Sequence, residues 1–295
     1  MTHDIFSVIE ATNRSYIESV RTAGAGSPLF CFPGSGWDPN LFREMVAVLP
    51  EGQPVYSIDM EWLYDAEHDF TIEQLARFYL DAIRKIQRRG PYYFCGYSFG
   101  GLIAYEIAVR LIEEGDGTNL VALLDAPNPA LMSNLSETDS VQFHKTYLID
   151  RLKKYALLLV RGDIKAITMG LAFIALRLRI LVIPGIKIVF RIAKKPLPRA
   201  FRDSNYYRFS RAWKSYIPKR YAKSLVLFRV KDRGPEFDRH PSMGWDACVV
   251  GGVQVHTVPG KHVDMMSMPS VGVIAEKLAT YLDNGLHQKE SVDAL

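Results

Sequence analysis

One serine in this chain stands where a hydroxyl becomes a nucleophile. Ser98 lies in Gly96-Tyr97-Ser98-Phe99-Gly100-Gly101. β-forming residues, 92–97, precede it, and an apolar and charged run at helical spacing, 102–114, follows it. A strand that turns sharply into a helix needs small residues at Gly96 and Gly100, because neighbouring side chains clash in so tight a turn. The turn lifts the Ser98 hydroxyl clear of the sheet and sets it at a helix N-terminus. A short Gly/Ser pattern also serves as an ordinary strand-to-helix turn, so the reading depends on a base and an acid elsewhere in the chain.

A serine hydroxyl is a poor nucleophile at neutral pH. It needs a histidine to accept its proton and an acid to orient that histidine. Of seven histidines, His262 in Pro259-Gly260-Lys261-His262 follows a strand near the C-terminus, on a loop after a glycine. His256 lies inside the strand pattern Val253-Gln254-Val255-His256 and reads as structural. His3, His68, His144, His240 and His287 fall in loops, in an insertion or near the chain ends. Two acids are candidates. Asp125 ends an uninterrupted apolar strand at Leu123-Leu124-Asp125, and Asp232 sits between Lys231 and Arg233. Both lie at C-terminal strand edges, where catalytic groups gather in open parallel sheets. Asp232 has the look of a solvated charge, and Asp125 is preferred. An oxyanion hole needs two backbone N–H donors, expected from Phe99 and from the loop Pro33-Gly34-Ser35-Gly36. Pro33 has no N–H, which leaves Gly34 as the choice.

The elements that must hold these residues alternate along the chain. Strands are expected at 28–32, 55–58, 92–97, 120–124, 224–229 and 252–258. Helices are expected at 40–49, at 102–114, at 271–282 and after Thr71-Ile72-Glu73-Gln74, which has the form of a capping box. The tail after Asn284 is polar and expected to fray. Strand and helix alternating on short links mean an α/β class with a mostly parallel, doubly wound sheet. The order Ser, Asp, His on that sheet is the order of the α/β-hydrolase fold.

The alternation stops after Pro129, and residues 130–222 read as a helical lid inserted into a single domain spanning 1–295. Its stretch Ala166 to Phe190 is long and apolar enough to raise a membrane span. Arg177 and Arg179 near its middle and the Pro184-Gly185 break argue instead for packed lid helices, with one wall offered to an acyl chain.

The net charge of +4 conceals an asymmetry. Residues 151–220 hold 18 Lys/Arg against Asp163 and Asp203, a segment of +16 that leaves −12 on the rest. So basic an insertion suits an acidic protein partner or an anionic membrane surface, or is a solvated face with no partner. No nucleic-acid motif accompanies the charge. Three cysteines (Cys31, Cys95, Cys248) without metal spacing suit buried thiols in a reducing compartment. The N-terminal residues carry acids and no signal-type apolar core, so the expected location is cytoplasmic.

Taken together, these motifs resemble the thioesterase domains that end non-ribosomal peptide and polyketide synthases. The resemblance spans most of the chain. It rests on Phe32-Pro33-Gly34-Ser35-Gly36, Gly96-Tyr97-Ser98-Phe99-Gly100-Gly101, Leu124-Asp125, Leu225-Val226-Leu227-Phe228-Arg229, Gly244-Trp245 and Gly260-Lys261-His262-Val263-Asp264-Met265-Met266. It implies an acyl chain presented as a phosphopantetheine thioester on a carrier protein, with no cofactor bound to the domain itself. It also implies transfer of that chain to Ser98 and release by hydrolysis or cyclisation. The acid of that family follows the strand after the elbow, as Asp125 does, whereas related stand-alone editing thioesterases place it after the lid, at a site like Asp232. An acidic carrier would dock near the basic lid. Two other functions remain open at this point. One is a lipid or carboxyl esterase whose lid opens at a membrane, and the other is an inactive hydrolase fold used for binding.

Overall fold

The computed structural model describes residues 15–24, 26–35, 39–64, 69–134, 205–233 and 235–293. The chain divides into two compact units, residues 1–134 with 209–295, and residues 135–208. The apolar run 166–190 and its Pro184-Gly185 break lie outside the described residues, as does most of the expected lid.

The first unit is built on a seven-stranded sheet. Its strands are β1 (Ile17–Arg21), β2 (Leu29–Phe32), β3 (Val55–Ile58), β4 (Tyr92–Tyr97), β5 (Thr118–Leu124), β6 (Leu225–Val230) and β7 (Val253–Val258), in the spatial order β1-β3-β2-β4-β5-β6-β7. β2 to β7 are parallel, and β1 alone runs antiparallel, against β3. β4 is central, and all six of its residues are buried. A strand covered on both faces reads as a continuous apolar run, which is how Tyr92–Tyr97 reads.

Alternate residues of each strand serve opposite faces. Leu29, Cys31, Tyr93, Cys95, Tyr97, Leu120, Ala122, Leu124, Val226 and Phe228 join one core with Met45 and Val46 of helix α1 (Arg43–Val48) and with Ile274, Ala275 and Leu278 of the C-terminal helix (Ser270–Asp293). On the other face Phe32 meets Tyr79 of helix α2 (Ile72–Ile86) edge-on at 6.2 Å. Helix α3 (Phe99–Glu113) packs on β2, β4 and β5 and beside α2.

The capping box at Thr71 forms in full. Its hydroxyl accepts from the Gln74 N–H at 3.2 Å, and the Gln74 side chain accepts from the Thr71 N–H at 3.0 Å. The paired caps fix where α2 begins.

Four expectations differ from the structure. β1 has no counterpart in the sequence reading, because Ile-Glu-Ser-Val-Arg shows no clean apolar alternation and its burial is patchy. The helix expected at 40–49 opens as a 3-10 turn, Pro39–Phe42, before α1. The elbow helix starts at Phe99 rather than Leu102, since Gly100 and Gly101 carry close packing and do not delay it. The C-terminal helix continues past Asn284 to Asp293. Gly285 costs a helix only about 1 kcal/mol, and the residues after it are helix formers. Helix α4 (Pro129–Asn134) follows β5, helix α5 (Asn205–Ser215) precedes β6, and the short α6 (Pro235–Asp238) follows it, which makes the C-terminal helix α7.

Candidate active site

The end of β4 turns into α3 at Ser98, whose backbone sits at φ 53° and ψ −118°. Few non-glycine residues hold a positive φ, and such strain persists where the surroundings enforce it. The Ser98 N–H is fastened to the Leu124 carbonyl at 2.9 Å, and its own carbonyl accepts from Gly101 at 3.0 Å. Packing explains the two glycines. A Cβ at Gly96 would stand 2.5 Å from the Gly101 Cα, and one at Gly100 would stand 2.3 Å from the Phe32 carbonyl oxygen. Gly100 thereby lets the elbow press against the end of β2, where the loop at 33–35 begins. A Cβ on Gly34 would lie 3.2 Å from the Ser98 Cβ, so that loop runs directly beside the nucleophile candidate. The first N–H groups of a helix have no partner within it, and Phe99 supplies one of these beside Ser98.

Asp125 follows β5 and is fully buried. Its φ is 49°, and its N–H bonds to the Phe228 carbonyl of β6 at 2.7 Å. That turn out of the strand directs the carboxylate along the sheet's C-terminal edge. Oδ1 accepts the Val230 N–H at 3.1 Å, while Oδ2 lies 2.6 Å from His262 Nδ1 and 2.7 Å from Arg233 Nη1. Burial pushes the carboxyl pKa up. The charge of Arg233, the hydrogen bond and charge of His262 and the Val230 N–H outweigh it, and the net shift is downward. The Asp125 carboxyl is thereby held toward its ionised form, with Oδ2 facing Nδ1 of His262.

His262 opens a 3-10 turn, His262–Asp264, reached from β7 through Gly260 at φ 81°. Tyr97, the residue before Ser98, fixes that turn from the side. Its hydroxyl donates to the His262 carbonyl at 2.6 Å, and the two rings stack at 4.9 Å. Phe99 packs edge-on against Phe209 of α5 at 4.8 Å, and Phe209 meets Phe70 at 5.2 Å.

The structure therefore brings Asp125 and His262 into one hydrogen bond and sets Gly34 close to Ser98, which Phe99 follows in the chain. Asp232 is exposed and its N–H bonds to the Gly260 carbonyl at 3.2 Å, so it is a surface loop residue. His256 is structural as expected: its Nε2 lies 2.6 Å from the Tyr281 hydroxyl. Tyr97 and Arg233 escaped the sequence reading. Their partners, His262 and Asp125, are distant in the chain, and neither residue belongs to the serine motif's fixed positions. Among the described residues no group of His, Cys, Asp and Glu side chains gathers to hold a metal, and no helix is long and apolar enough to cross a membrane.

The chain is similar to known proteins in sequence and in fold. A family model described as thioesterase domain matches residues 27–156. A non-reducing polyketide synthase, crz7 of Cladonia metacorallifera, is 28% identical over 87% of this chain and 12% of its own length. The chain spans only 12–13% of the length of the first such relatives. Among solved structures, the NocB thioesterase domain superimposes with a TM-score of 0.60 at 18% identity, covering 90% of this chain and 99% of that one. A four-domain nonribosomal peptide synthetase superimposes with a TM-score of 0.63 at 23% identity, covering 93% of this chain and 21% of that one. These structural likenesses give the fold, and the family match spans the elbow and the acid strand. Over residues 27–156 the chain is similar to the thioesterase-domain family, and it folds on an α/β-hydrolase sheet.

Proposed function

We propose that this domain releases an acyl, peptidyl or polyketide chain from the phosphopantetheine arm of a carrier protein through an acyl-enzyme on Ser98. The observation that carries the proposal is the 2.6 Å bond between His262 and a buried, ionised Asp125, on a sheet edge that also carries the strained Ser98. In the first half-reaction Ser98 Oγ attacks the thioester carbonyl and its proton passes to His262 Nε2. The Gly34 and Phe99 N–H groups hold the tetrahedral oxyanion. Collapse breaks the C–S bond, and the thiol leaves with the proton from His262. In the second, water or a nucleophile within the chain attacks the ester, again giving its proton to His262. Collapse then breaks the ester bond, His262 returns the proton to Ser98 Oγ, and the product leaves as an acid or a ring. Asp125 stays ionised throughout and stabilises the imidazolium.

The thioesterase-domain match over residues 27–156 favours a single domain over 1–295 with 130–222 as its lid. The carrier's docking follows from charge. A segment of +16 against −12 for the rest of the chain suits an acidic carrier, and its association would weaken steeply with salt. Three free, buried cysteines suit the cytoplasm.

The test compares turnover of a panel of acyl-pantetheine thioesters with that of glycerolipid oxygen esters in dispersion. Preference for the thioesters, lost in Ser98→Ala, supports the proposal. Cleavage of the lipid esters alone would replace it with an esterase working at a membrane surface.

A further inference from the structure

In sequence Asp232, between Lys231 and Arg233 after β6, reads as a solvated charge, and the structure divides these three residues. Lys231 and Asp232 are exposed, whereas Arg233 is 8% exposed. Its guanidinium turns inward, lies 5.3 Å from the centre of the Phe237 ring and places Nη1 2.7 Å from Asp125 Oδ2. The same oxygen accepts from His262 Nδ1 at 2.6 Å. Two cationic or potentially cationic partners thus share one carboxylate oxygen, and both the Asp125 and Arg233 side chains are almost wholly removed from water, at 0% and 6% exposure.

Electrostatics then dictates a role. A carboxylate beside a histidine stabilises the imidazolium and raises its basicity. An arginine never loses its proton in a protein, so Arg233 is a permanent positive charge. Across a shared oxygen it withdraws part of the negative charge that His262 would feel and repels the imidazolium directly. His262 also meets Tyr97 from β4 through ring stacking, and Lys261 and Asp264 flank it on its own loop. Of these side chains, only Arg233 combines a fixed charge with burial against the acid itself.

We propose that Arg233 is a positioning residue of the serine site, holding the Asp125 carboxylate in place and keeping His262 unprotonated at a lower pH than Asp125 alone would allow. The inference rests on the Ser98–His262–Asp125 reading above. It extends that reading by naming the group that sets the pH at which Ser98 becomes nucleophilic.

The experiment follows phosphonylation of Ser98 by a fluorophosphonate, read by intact mass as a function of pH. In this reaction Oγ bonds to phosphorus, fluoride leaves and His262 takes the proton, so no knowledge of the natural acyl group is needed. Wild type, Arg233→Gln, Arg233→Met and Arg233→Lys are compared, with Ser98→Ala as the control and a thermal melt for each. The neutral variants are expected to shift the acid limb upward by about one pH unit. Below the wild-type midpoint their rate falls about tenfold. The lysine variant, which keeps the charge, is expected to stay close to wild type. A uniform loss of rate at every pH, with the midpoint unmoved, would overturn the inference and leave Arg233 a packing residue. Absence of a native melt in both neutral variants would do the same. If wild type labels no more than Ser98→Ala, the serine reading itself falls, and this inference with it.

Discussion

The Tyr97 hydroxyl donates to the backbone carbonyl of His262 at 2.6 Å, so the residue before the proposed nucleophile anchors the turn that carries the proposed base. β4 thereby positions two members of the site. Ser98 emerges from its end, and Tyr97 fixes His262 across the sheet edge through that bond and a ring stack at 4.9 Å.

Tyr97→Phe keeps the stack and removes the bond. A net hydrogen bond is worth about 1 kcal/mol, so kcat is expected to fall about fivefold with KM little changed. Tyr97→Ala also empties a buried site and is expected to cost about 3–5 kcal/mol of stability. Steady-state kinetics beside urea unfolding separates the two effects.

The two acids weighed in the sequence now have distinct fates. Asp125→Asn is expected to lower kcat on the order of 10⁴-fold, because the amide favours the wrong imidazole tautomer. Asp232→Asn is expected to leave kcat within about twofold, since surface changes of this kind shift energies by only about 0.5 kcal/mol. Kinetics on one acyl-pantetheine thioester decides it, and the reverse ranking would move the acid to the loop after β6.

Two buried carboxylates should give opposite pH signatures in stability. The pKa of Asp125 is lowered on folding, so its contribution is fully present above the ordinary carboxylate range and is lost as pH falls through the folded value. Glu106 on α3 is the converse. Burial raises its pKa, against the Tyr216 hydroxyl bond and the Arg110 charge that lower it. Its contribution is present at acid pH and lost as pH rises through the folded value. Urea unfolding from pH 3 to 7 is expected to show less acid-side loss in Asp125→Asn than in wild type. Glu106→Gln is expected to lose less stability than wild type as pH rises, because the amide still accepts from the Tyr216 hydroxyl, 3.0 Å from the native carboxylate.

Gly100→Ala places a Cβ 2.3 Å from the Phe32 carbonyl oxygen, a backbone atom that cannot swing aside. The expected cost is about 1–3 kcal/mol or more, with the loop beside Ser98 displaced. Thermal melting and fluorophosphonate labelling should therefore fall together.

How much of this was legible in the sequence varies with the range of the interaction. The Gly96–Gly101 elbow announces itself because a tight turn constrains neighbours in the chain, and β4 reads correctly because it is buried on both faces. Asp125 and His262 were legible through their place at strand ends. Arg233 was not. Beside Lys231 and Asp232 it has the composition of a surface turn, and only the carboxylate at the end of β5 makes its burial worthwhile. β1 was missed for a related reason. As an edge strand with no fully buried residue, it needs no apolar alternation, and its place is set by pairing with β3.

The most direct test of the account is intact-protein mass spectrometry after mixing the domain with acyl-pantetheine thioesters, followed by peptide mapping of any adduct. The account predicts a transient mass increase equal to the acyl group, mapped to Ser98, abolished in Ser98→Ala and His262→Ala and prolonged where water is a poor second nucleophile. Turnover of the same thioesters undiminished in Ser98→Ala, or an adduct mapped to another residue, would contradict it.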